Sequence, residues 1–147
     1  MTWRLSLESS RGSHLSRKMN TIDNMIEMLK KYQNISYTCD AYSLTVHPAD
    51  EEGFPVSLSL EEEGYTLCFG DWHDHFEAEE EALEFFAFGL SHSCRLRVIS
   101  RGGHPYKWIV ENLANGTWRI VYEAGLFFFR FWGKKEEAVF QNKLIKI

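Results

Sequence analysis

The feature that most constrains this chain is a hydrophobic period of two that recurs from about residue 42 to residue 132. Side chains alternate across a strand, so such a pattern specifies half-buried strands with one wet face. Val56, Leu58 and Leu60 alternate with Ser57 and Ser59, Glu61 to Gly64 turn the chain, and Tyr65, Leu67 and Phe69 return. That is the signature of an antiparallel hairpin. Upstream, Tyr42, Leu44 and Val46 predict one strand from about Tyr37 to His47, stopped by Pro48 and the Asp50–Gly53 run. Downstream, four segments predict a meander: Cys94–Ser100, Tyr106–Leu113, Thr117–Glu123 and Leu126–Trp132. The Asn115-Gly116 pair suits a tight hairpin turn because both residues tolerate positive φ. Strict alternation puts Trp108 with Val110 on one face, and Trp118, Ile120 and Tyr122 together on another. The stretch from Lys134 onward fits a helix or a last strand.

Two segments break this pattern with a helical period. Ile22, Met25, Ile26 and Leu29 form one apolar stripe over about Thr21–Tyr32. Ala82, Leu83, Phe86, Ala87 and Leu90 form another over about Ala78–Leu90. Glu77, Glu79, Glu80 and Glu81 load the start of the second helix, where the helix dipole favours negative charge. Asp74 with Glu77 has the spacing of a capping box. The expected fold class is α+β: one antiparallel sheet of about six to seven strands with two helices packed on it, in the order α-βββ-α-ββββ. Residues 19–147 are expected to form one domain. Residues 1–18 read as a flexible leader, as residues added ahead of the native start, or as an over-long start, since Met19 stands just before the first helical pattern.

Composition narrows the function classes. No apolar run is long enough to cross a bilayer as a helix, and the run at Leu126–Phe129 is broken by Arg130. The first eighteen residues contain no secretory h-region, and the three cysteines (Cys39, Cys68, Cys94) have no CxxC spacing, so a reducing cytoplasm is the expected location. Charge is segregated. The formal net charge is −5, yet the stretch from Asp50 to Cys94 holds thirteen acids and no Lys or Arg, while the chain from Arg95 onward holds ten basic residues and four acids. Net acidity and the absence of a helix-turn-helix, zinc-finger or RNP-like pattern argue against nucleic-acid binding. An acidic segment is instead suited to steering a basic partner.

The densest candidate for chemistry is Asp71-Trp72-His73-Asp74-His75-Phe76-Glu77. If that stretch is extended, His73 and His75 point to one side, and Asp71 or Glu77 completes a two-histidine, one-carboxylate set for a divalent metal. A solvated loop whose Asp74 caps the following helix explains the same residues more simply. His92 and Cys94 pair a base with a thiol, but no third group can be assigned to orient them. Arg101-Gly102-Gly103-His104 reads as a hairpin turn rather than an anion nest, because no strand-to-helix context or GK[ST] ending follows. Trp108, Trp118, Phe127, Phe129 and Trp132 are the candidate ligand or partner contacts, with homodimerisation through the aromatic strand a further expectation.

These observations favour a non-catalytic interaction module, without a cofactor, that binds a protein partner or itself through the acidic segment 50–94 and the aromatic sheet. The alternatives are a small metal-dependent enzyme using His73 and His75, and a domain that encloses an apolar small molecule against Trp108 and Trp118.

Overall fold

A computed structural model describes residues 21–126 and 133–146. Helix α1 covers residues 21–29. It is followed by strands β1 (Ser36–Cys39), β2 (Ser43–His47), β3 (Val56–Glu61), β4 (Gly64–Phe69) and β5 (Trp72–Phe76). Helix α2 (Glu79–Leu90) leads into β6 (Cys94–Arg101), β7 (His104–Ala114), β8 (Thr117–Gly125) and β9 (Lys135–Phe140). All strand pairs within the two sheets are antiparallel.

The single sheet of six to seven strands expected from the sequence is not what forms. Among the described residues nine strands divide into a five-stranded meander, β1-β2-β3-β4-β5, and a four-stranded sheet in the order β8-β7-β6-β9. The α+β class holds, but the element order does not, because five strands rather than three precede α2. Two local effects account for the extra strands. The stretch expected as one strand from Tyr37 breaks at Asp40, whose Oδ1 accepts the N–H groups of Tyr42 and Ser43, both at 2.8 Å. An aspartate can satisfy the backbone of a turn with its own side chain, and alternation does not register that. Those bonds, Tyr42's first, hold the Asp40 carboxyl below the usual aspartate range.

The second extra strand is β5, which pairs with β4 from Phe69↔Trp72 to Tyr65↔Phe76 and closes the first sheet. Its Asp74 is therefore not a helix cap. The N-cap of α2 is Ala78, which makes no side-chain cap, and Asp74 Oδ1 accepts the N–H of His75 at 2.9 Å.

In the second sheet β9 pairs with β6 on the side opposite β7, which gives a Greek-key order rather than a four-strand meander. The segment from Lys134 thus supplies a strand. The expected strand Leu126–Trp132 falls outside the described residues apart from Leu126, which is exposed.

One buried cluster unites the elements. Ile22, Met25 and Leu29 of α1 and Ala82, Phe86 and Leu90 of α2 pack with Leu44, Val56, Leu58, Leu67 and Phe69 of the first sheet. Cys94, Leu96 and Val110 bring the inner face of the second sheet into the same core. Gly89 permits the close approach: a Cβ there would meet the Phe69 ring at 2.5 Å.

The chain end locks this arrangement. Asn142 is buried, accepts the Phe54 N–H at 2.9 Å and donates to the Gly89 carbonyl at 2.9 Å. The Leu144 N–H reaches the Leu90 carbonyl at 2.8 Å. Asn142→Ala leaves one buried donor and one buried acceptor without this partner, so it is expected to lower stability by about 2–4 kcal/mol in urea unfolding. A change within about 0.5 kcal/mol would mean that the C-terminal segment does not clamp the core.

Candidate binding groove

Side chains from β5 and β8, each the last strand of its sheet among the described residues, meet. Trp72 on β5 and Tyr122 on β8 meet with ring centroids 5.4 Å apart, and Phe85 from α2 touches both, at 5.9 and 5.2 Å. No ladder joins β5 to β8, so the aromatic contact closes the interface while leaving space on either side of it.

On one side lies a cleft of about 490 Å³ between α2 and β8. Its walls are Phe76, Phe85, Phe88 and Tyr122, and Glu81, Glu84, Asn112 and Val121 complete the lining. Glu81, Glu84, Phe85 and Phe88 stand at i, i+3, i+4 and i+7 of α2, which makes a second stripe beside the buried one. On the other side is a cleft of about 500 Å³ whose lining includes Asp71, Trp72, His73, Trp108 and Leu126. A smaller space of about 280 Å³, shared with Asp71, Pro105 and Trp108, continues from it toward Phe54 and Phe140.

A register shift in β8 determines which side chains reach the groove. Val110 pairs with Tyr122 but Glu111 pairs with Ile120, so Val121 is an extra residue. Such a bulge reverses the alternation on one side of it. Tyr122 therefore turns into the aromatic contact, whereas Trp118 lies on the outer face beneath the Arg95 guanidinium, 4.3 Å from the ring centroid. Trp118 and Tyr122 thus do not share the face that strict alternation assigns to them. Trp108 and Trp118 lie on opposite faces, and no single pocket holds both.

The residues expected to bind metal separate along β5. His73 and His75 pair with Cys68 and Thr66, which puts both imidazoles on one face as the period of two requires. His75 is engaged by the β3–β4 turn: its Nε2 is 3.0 Å from the Glu63 carbonyl oxygen, and its Nδ1 is 3.5 Å from Glu61 Oε2. Asp71 and His73 line the second cleft, and Glu77 is exposed beyond the end of the strand. Among the described residues no group of three His, Cys, Asp or Glu is arranged to hold a metal ion. Phe127, Phe129 and Trp132 lie outside the described residues.

The remaining candidates have structural roles. Gly102 and Gly103 adopt positive φ in the β6–β7 turn, and the Gly102 N–H donates to the Lys134 carbonyl at 3.1 Å. Cys94 is fully buried, and that burial pushes its thiol well above the ordinary range, while His92 is exposed at the surface.

Electrostatically, three cations of the second sheet are paired within it. Arg95 donates to Glu111 at 2.8 Å, Arg97 pairs with Glu137 and Lys107 with Glu123. These pairs occupy the sheet's outer face, whereas Arg119 is paired in register with Asn112 and so shares the face of the first cleft, whose lining also includes Glu81 and Glu84.

Glu81 and Glu84 belong to the acidic segment 50–94 expected as a contact surface, whereas Phe76, Phe85 and Phe88 are not among the residues the sequence points to. The signal that would have found them is the second helical stripe at 81, 84, 85 and 88. No family model matches the chain, and no curated protein or solved structure is significantly similar to it. Among the described residues no helix is long and apolar enough to cross a membrane.

At neutral pH iodoacetamide is expected to modify exposed Cys39 and to spare Cys94 until the protein is unfolded, as read by peptide mass mapping. Rapid alkylation of Cys94 in the folded protein would restore the His92–Cys94 pair as a nucleophile.

Proposed function

We propose that this chain is a non-catalytic binding module that takes a cationic group into the cleft between α2 and β8. One observation carries the reading. Four aromatic side chains, Phe76, Phe85, Phe88 and Tyr122, line the same space as the carboxylates of Glu81 and Glu84. Aromatic faces carry negative potential, so rings and carboxylates together favour a desolvated ammonium or guanidinium and disfavour an anion. The acids that precede α2 in the chain supply a long-range field of the same sign, which raises the encounter rate with a basic partner.

Chemical-shift mapping with tetramethylammonium and with N-acetyl-lysine methylamide tests this. Both are expected to shift the resonances of Phe85, Phe88, Val121 and Tyr122, with a Kd on the order of millimolar for so small a ligand. Added salt and the variant E81Q/E84Q are each expected to weaken the complex several-fold. Shifts scattered over the whole surface, or no loss in E81Q/E84Q, would contradict the assignment.

A further inference from the structure

We infer that the groove on the other side of the Trp72–Tyr122 contact is a second binding site. It suits an elongated apolar molecule with one polar end, an uncharged group that both donates and accepts hydrogen bonds, as a primary amide does. The site is separate from the α2–β8 cleft and does not rest on the reading of that cleft. The space of about 500 Å³ and the smaller one of about 280 Å³ share Asp71, Pro105 and Trp108, so they form one groove. Spaces of this size accept small molecules. The inner end is lined by Phe54, which leads into β3, and by Leu96, Val98 and Phe140 of the second sheet. Among the described residues no lysine or arginine lines either space.

Two polar groups at the outer end define the head of the ligand. Trp72 is 4% exposed, yet among the described residues its indole N–H meets no acceptor. A buried indole N–H usually has one, and a buried donor left unmade is costly. This N–H is not sealed from the surface, and Trp72 lines this cleft but not the α2–β8 one. Asp71 lines the same cleft from the turn between β4 and β5. Its carboxylate is exposed and makes no ion pair or hydrogen bond among the described residues. A primary amide answers both groups, because its carbonyl accepts from the indole and its NH₂ donates to the carboxylate. An ammonium cannot accept, and a carboxylate is repelled by Asp71. The apolar tail then follows Trp108 and Pro105 toward Leu96 and Phe140, where it leaves water.

Octanamide, octylamine and octanoate are the probes, followed in the full chain by the indole N–H resonances of Trp72 and Trp108. Octanamide is expected to shift both and to bind about fivefold or more tightly than either charged counterpart. From pentanamide to octanamide the affinity is expected to rise about threefold per methylene. Asp71→Ala is expected to remove the preference over octanoate and to keep the dependence on chain length. Val98→Phe, which fills the inner space, is expected to do the reverse, and the chain-length series in the parent protein asks the same question without a core substitution. E81Q/E84Q is expected to change none of these results, which separates this site from the α2–β8 cleft. Equal binding of octanoate and octanamide, or an affinity independent of chain length, would overturn the inference. So would shifts centred on Phe85 and Phe88. If the free protein shows cross-peaks between Trp108 and a phenylalanine of residues 127–131, the chain fills the groove itself and the inference fails.

Discussion

The arrangement of this molecule depends on the ring of Phe85. It stacks on Phe69 of the first sheet with centroids 5.3 Å apart and planes 5° from parallel. Its contact with Tyr122 of the second sheet is edge-on at 5.2 Å and 89°. Phe76, Phe88 and Trp72 surround the same ring at 5.4, 5.2 and 5.9 Å. Each such pair is worth about 0.5–1.5 kcal/mol beyond the area it buries. Directional contacts of this kind give the two sheets a defined relative position where no hydrogen-bonded ladder runs between them. The two clefts border this contact: Phe85 and Tyr122 line one, and Trp72 lines the other.

Charge follows the same division. Part of the second sheet's charge is paired on its outer face: Glu111 is 4% exposed between Arg95 and Arg97, and Glu137 completes the row. The Glu137 hydrogen bond holds the Arg97 guanidinium above its usual range, and the same bond holds the Glu137 carboxyl below its own. Such pairs set strand register and keep Trp118 under Arg95, and they contribute modestly to stability. For the groove, the consequence is that these cations remain on the outer face. The glutamates of α2 act on whatever enters the cleft from the opposite side of the sheet.

Much of the secondary structure was legible from local chemistry. The period of two located β3, β4, β6, β7 and β8, and the stripe of Ala82, Phe86 and Leu90 located α2. Three features were not legible, each for a physical reason. The Asp40 turn splits a strand by side-chain hydrogen bonding, which leaves the hydrophobic pattern untouched. β5 carries Trp72 and Phe76 inward with exposed His73 and His75 between them, so a charged edge strand resembled a solvated loop. Whether two meanders merge into one sheet is decided by contacts between distant strands, here Trp72 with Tyr122. The candidate site shared that fate. Asp71, His73 and Trp108, expected in separate roles, meet in one cleft, whereas Phe85 and Phe88 of α2 carry no signal beyond the helical period that Phe86 already explains.

The most direct test of this account is a NOESY spectrum of the protein with assigned aromatic side chains. The expected result is a set of cross-peaks linking the Phe85 ring to Phe69, to the Trp72 indole and to Tyr122, which ties both sheets to α2. If the Phe85 ring shows contacts to Phe69 and Trp72 but none to Tyr122, the second sheet is not held where the groove requires it, and the binding site proposed at that joint does not exist.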